Sequence, residues 1–171
     1  MDWKSTLEEV IQRYSGQVGG AAAAPENPHA DFQQVAQAAP QGAVAGGLSQ
    51  AFRSDQTPPF ADMVANLFSR SNPDQRAGLL NRLLDSVGPA AVSALPGLGG
   101  LSSLPGGAKI TPDQASQISP VQVQQMAAQA EQQNPSVVDH VSSFYSQHPQ
   151  LVNALGGAAL TIALRHILTR L

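Results

Sequence analysis

The middle and the end of this 171-residue chain carry nearly the same text. Phe60-Ala61-Asp62-Met63-Val64-Ala65-Asn66-Leu67-Phe68-Ser69, closing at Asn72-Pro73, is matched by Val137-Val138-Asp139-His140-Val141-Ser142-Ser143-Phe144-Tyr145-Ser146, closing at His148-Pro149. Asp62 falls opposite Asp139, Val64 opposite Val141, Leu67-Phe68 opposite Phe144-Tyr145, and Pro73 opposite Pro149. Upstream, Ala36-Gln37-Ala38-Ala39-Pro40 falls opposite Ser116-Gln117-Ile118-Ser119-Pro120. The offset stays at about 76 to 80 residues. A self-similar period of that length constrains the fold before any other feature, because each copy has to be the same supersecondary unit.

The period inside each copy is helical. In the first unit, residues 29–95, Phe32, Val35 and Ala39 mark one short helix that Pro40 ends. Val44, Leu48, Ala51 and Phe52 mark a second, weakened by Gly46-Gly47, and Phe60, Met63, Val64, Leu67 and Phe68 a third. Asn72-Pro73-Asp74-Gln75 is a capping-box start with proline where no amide hydrogen is needed. The helix it opens buries Leu80, Leu83, Leu84 and Val87 and stops at Gly88-Pro89, with a further turn or two expected over Ala90 to Leu95. A Gly/Pro linker, 96–109, leads to the second unit, 110–171. There Thr111-Pro112-Asp113-Gln114 and Ser119-Pro120-Val121-Gln122 repeat the same punctuation, and Asn134-Pro135 and His148-Pro149 open the next two helices. Sustained alternation of β-branched residues is missing. The expected class is all-α: two tandem repeats of short proline-punctuated helices, plus a tethered N-terminal amphipathic helix.

That N-terminal helix, residues 1–15, carries the stripe Trp3, Leu7, Val10, Ile11 and Tyr14, with Asp2, Lys4, Glu8, Glu9, Gln12 and Arg13 on the other side. Residues 16–28 read as a flexible Gly/Ala/Pro linker. A helix this short is not stable unaided, so it has to dock. It docks on its own body, in the groove of a protein partner, or on another copy of the chain; a membrane surface fits less well, because its polar face is not enriched in Lys and Arg. We take the stripe as the candidate partner-binding element.

The C-terminal run Leu151 to Leu164 is apolar around most of its circumference, and a single helix is expected there, with Gly156-Gly157 allowing a neighbouring backbone to come close. It stops at Arg165 and His166, short of the roughly 20 residues that span a bilayer. A buried core helix is the expected role; a subunit interface and a membrane anchor are the alternatives.

Composition narrows the function. Only 12% of the residues are charged, and the formal net charge is -3 with nine Lys and Arg scattered, so no basic face for nucleic acid is expected. With no cysteine, thiolate metal sites and thiol catalysis are excluded. Glu8 and Glu9 occupy the place of a secretory signal's apolar run, so a cytoplasmic protein is expected. His29, His140, His148 and His166 are dispersed, and His140 with His148 lacks further metal ligands in sequence. Asp62 and Asp139 are equivalent carboxylates, each in the first turn of a helix, where the dipole favours negative charge. Neither a phosphate-cradling glycine loop nor Gly-x-Ser-x-Gly occurs. An enzyme is not expected, nor is a cofactor. Met63, Phe68, Met126 and Phe144 are core candidates that also suit the wall of an apolar pocket.

The start with Trp3, the Gln/Ala/Leu-rich helices broken by prolines, and the segment Asn72-Pro73-Asp74-Gln75-Arg76-Ala77-Gly78-Leu79-Leu80-Asn81 resemble the small YidB-like bacterial helical proteins. The resemblance covers residues 1–15 and, loosely, 60–160. It implies an all-helical bundle and no particular activity. The functional expectation is therefore a non-enzymatic helical interaction or scaffold protein, docking a partner or itself through the N-terminal stripe. A membrane-associated protein held by the C-terminal helix and a carrier of small apolar ligands are the alternatives.

Overall fold

The computed structural model describes residues 27–88 and 109–170, with 5, 8–10 and 12 of the N-terminal segment. The linker residues 16–26 and 96–108, the segment Ala90 to Leu95, and Trp3, Leu7, Ile11 and Tyr14 lie outside the described residues. Every regular element described is helical. In chain order these are α1 (Pro28–Ala38), α2 (Gln41–Arg53), α3 (Phe60–Arg70), α4 (Pro73–Val87), α5 (Pro112–Ser116), α6 (Pro120–Gln133), α7 (Val137–Ser146), α8 (Pro149–Val152), a 3-10 turn (Asn153–Leu155) and α9 (Gly157–Leu168).

Local chemistry sets most of these boundaries. At Asn72/Gln75, Thr111/Gln114 and Ser119/Gln122 the cap side chain accepts the N3 amide while the N3 glutamine accepts the cap amide. Each such box satisfies two otherwise orphaned donors, and losing the cap costs about 0.5–2 kcal/mol. Proline follows in all three, fixing φ without removing a helical hydrogen bond.

One expected element is different. Residues 151–164 do not form a single helix: α8 passes into the 3-10 turn, Gly156 takes φ 88°, and α9 begins at Gly157. A Cβ at Gly156 would meet nothing within 4 Å, so this glycine is needed for its left-handed backbone and not for space. The break reorients the chain. Val152 and Leu155 are buried before it, and Ala159, Leu160, Ala163, Leu164 and Ile167 form the buried face of α9 after it. Among the described residues no helix is long and apolar enough to cross a membrane.

The close approach expected at Gly156-Gly157 is made instead by Gly47, in the middle of α2. A Cβ on Gly47 would stand 2.6 Å from the Ala163 carbonyl oxygen and 2.7 Å from Ile167 Cγ1. Gly47, one of the pair that weakens α2 as an isolated helix, is what lets α9 cross it closely.

The helices pack mainly between the halves of the chain. α2 lies on α7 and on α9, as α6 lies on α3 and on α4; α1 lies on α9, as α5 lies on α4. α4 also meets α7, and α3 meets α8 and the 3-10 turn. The buried positions of corresponding helices match: Val44, Leu48 and Ala51 of α2 correspond to Val123, Ala127 and Ala130 of α6, and Phe60, Val64, Leu67 and Phe68 of α3 to Val137, Val141, Phe144 and Tyr145 of α7. All of them belong to one continuous apolar core.

Candidate functional site

The stripe enters the structure through Val10. Residues 5, 8–10 and 12 are helical; Val10 is 2% exposed and part of the apolar core, whereas Ser5, Glu8, Glu9 and Gln12 are exposed. Of the described residues in this segment, Val10 alone is buried.

The two equivalent aspartates do more than meet a helix dipole. Asp139, in the first turn of α7, accepts from Ser49 Oγ at 2.6 Å and from Arg53 Nη2 at 3.0 Å, both on α2 and one turn apart. Arg53 also donates to the Pro135 carbonyl at 3.3 Å. Asp62, in the first turn of α3, accepts from Gln124 Nε2 on α6. Each carboxylate clasps a helix of the opposite half. Ser49 is buried, and the Arg53–Asp139 pair is about half exposed (46% and 53%), so the buried hydroxyl carries more of the clasp than the screened ion pair. Arg76 binds within its own half: it donates to the Phe68 and Ser69 carbonyls at 3.0 and 3.1 Å and stacks 5.0 Å over the Phe68 ring, closing the C-terminus of α3.

The histidines stay apart. His29 is exposed; His140 Nδ1 lies 3.3 Å from Ser86 Oγ, which itself donates to the Arg82 carbonyl. His148 tilts against Phe144 at 4.9 Å, and Arg82 approaches the same ring. His166 faces Gly46 across the α2–α9 crossing. Among the described residues no three His, Asp or Glu side chains gather as metal ligands. His140 and Ser86 meet, but Asp139 is committed to α2, so the three do not form a relay.

An open cleft of about 480 Å³ lies where α2 and α9 end, lined by Gln50, Ser54, Gln56, Ile162, Arg165, His166 and Thr169. Burial lowers the pKa of His166 below its ordinary value, and the charge of Arg170 lowers it further. Arg165 lies in the last turn of α9, the position in which a basic side chain offsets the helix dipole. Met63, Phe68, Met126 and Phe144, candidates for a pocket wall, are all buried in the core and do not line this cleft.

Among the described residues two buried side-chain polar atoms, the Tyr145 hydroxyl and Asn153 Oδ1, have no hydrogen-bond partner. Tyr145 is fully buried beside Ser71, whose hydroxyl donates to the Leu67 carbonyl at 2.7 Å, and the Tyr145 hydroxyl makes no hydrogen bond within the protein. Burial raises its pKa well above the usual phenol value, with Ser71 opposing that shift.

The polar clasps and the glycine crossing are the features that spacing in sequence does not show. The signal available was Ser49 and Arg53 at i and i+4 on one side of α2, legible only once a carboxylate is known to face them. Comparisons with protein-family models, with curated proteins and with solved structures found no match.

Proposed function

We propose that this chain is a non-enzymatic helical interaction protein of the cytoplasm. Two interleaved copies of one helical unit form its body, and the stripe Trp3, Leu7, Val10, Ile11 and Tyr14 engages a partner protein. The reading of two copies is supported by the exchange of equivalent packings, α2 on α7 and α6 on α3, and by Asp62 and Asp139 each holding a helix of the other half. As part of the same proposal, the sequence of residues 72–81 supports a relation to the YidB-like helical proteins.

The observation that carries the interaction reading is the burial of Val10. Val10 lies in the apolar core, and the sequence of residues 16–28 that follows is rich in Gly, Ala and Pro. An apolar stripe beside such a sequence is a ligand suited to a partner groove.

The test separates stripe from body. A chain lacking residues 1–16 is mixed with a peptide of residues 1–16, whose Trp3 is the chain's sole tryptophan. The truncated body is expected to keep its helical circular dichroism, and Trp3 emission to shift to the blue on binding. Trp3→Ala in the peptide is expected to weaken binding tenfold or more, since aromatic anchors dominate such interfaces. A body that unfolds on truncation, or a peptide that stays free, removes the reading.

A further inference from the structure

Within each half, the helices described as packing on one another are mostly neighbours in sequence; the broad packings of α1, α2, α3 and α6 all cross between residues 27–88 and 109–170. Separating the halves would uncover Leu48, Phe52 and Phe68 on one side and Val141, Tyr145 and Leu160 on the other, each at most 2% exposed in the folded chain. The surface that fits one half is the other half, and a second copy of the chain carries that surface too.

We propose that two copies of this protein exchange halves. Residues 27–88 of one copy close on residues 109–170 of the other, and the reverse, giving a two-fold dimer of two lobes, each built like the monomer. Every cross-half contact is remade in the exchange, including Ser49 with Asp139, so the dimer gives up none of the packing between halves. In both forms the halves are joined through residues 89–108, whose sequence holds three prolines and five glycines. With 12% charged residues and a net charge of -3, the copies repel each other little. The inference rests on the cross-half packing, independently of the N-terminal stripe.

The experiment uses two full-length variants, Ser49→Cys and Asp139→Cys, of a chain that has no cysteine of its own. Ser49 Oγ lies 2.6 Å from Asp139 Oδ1, so residues 49 and 139 face each other between two variants only where the first half of one closes on the second half of the other, and a single chain carrying both cysteines is the control that the pair can oxidise. The variants are unfolded together, refolded at a series of protein concentrations, oxidised and separated without reductant. A disulfide-linked heterodimer is expected, its yield rising with concentration and well above that from either variant alone or from variants mixed after refolding. The unsubstituted chain, refolded in the same way, is expected to give a dimer by light scattering with the monomer's circular dichroism. A cross-link no stronger than the controls, or a chain that is monomeric at every concentration, overturns the proposal. So does loss of the dimer on deleting residues 1–16, which would assign the association to the stripe.

Discussion

Asp62 and Asp139 occupy the same place in the first turns of α3 and α7, and each bonds to a helix from the opposite half of the chain. A first-turn carboxylate meets the positive end of its own helix. Here the same group also bridges to α6 or to α2, so a locally favoured residue becomes a joint between the halves.

Replacing Asp139 with Asn removes the charge from the Ser49 and Arg53 bonds but keeps the shape. A loss of about 1 kcal/mol is expected in urea unfolding, set by the buried Ser49 bond and only slightly by the exposed ion pair. Asp62→Asn is expected to cost a similar amount, and the double variant the sum to within about 0.5 kcal/mol, since the two clasps share no partner. Strong non-additivity would show that the clasps are coupled.

Two glycines of α2 are expected to respond oppositely to alanine. A Cβ at Gly42 meets nothing within 4 Å, so Gly42→Ala gains helix propensity, up to about 1 kcal/mol. At Gly47 the new carbon would press on the Ala163 carbonyl, a backbone atom that cannot rotate away. Forcing α2 from α9 is expected to cost about 1–3 kcal/mol, outweighing the propensity gain. Melting temperatures of the two variants check the contrast; a stabilised Gly47→Ala would mean that the crossing is loose.

The unmatched hydroxyl of Tyr145 makes Tyr145→Phe an unusually mild core substitution. Phe68, at the corresponding position of α3, already fills its site without a hydroxyl. The variant is expected to be neutral or stabilised by about 1 kcal/mol, because the desolvation of an unpaired hydroxyl is relieved.

The same residue sets an alkaline limit. Its folded-state pKa is raised by burial, while the unfolded phenol titrates near pH 10. The unfolded state therefore loses its proton first. Stability is fully present below about pH 10 and falls as the pH rises beyond it, through to the raised pKa of the folded state. Unfolding of the parent and of Tyr145→Phe across pH 8–12 is expected to diverge only at the alkaline end, with the variant losing less.

The sequence by itself determined the helices and where most of them stop. Asn72, Thr111 and Ser119 with their following prolines and glutamines act on the nearest backbone amides, and the apolar positions of α3 and α7 follow the helical repeat. These are interactions over three or four residues, so spacing alone reveals them. Only the tertiary structure decided how the halves meet. Gly46-Gly47 is a weakness when α2 is read in isolation, and Gly47 is the contact point once α9 crosses it. Gly156 reads as part of an apolar helix, yet the path that Leu155 and Leu160 take into the core requires a left-handed turn between them. Asp139 reads as a helix-start charge, while its bonds to Ser49 and Arg53 span about 90 residues of chain. Val10 is an apolar stripe position by its spacing, while its burial is seen only in the folded chain. Local hydrogen bonding and periodicity are written along the chain; close packing and the pairing of distant polar groups exist only after it has folded.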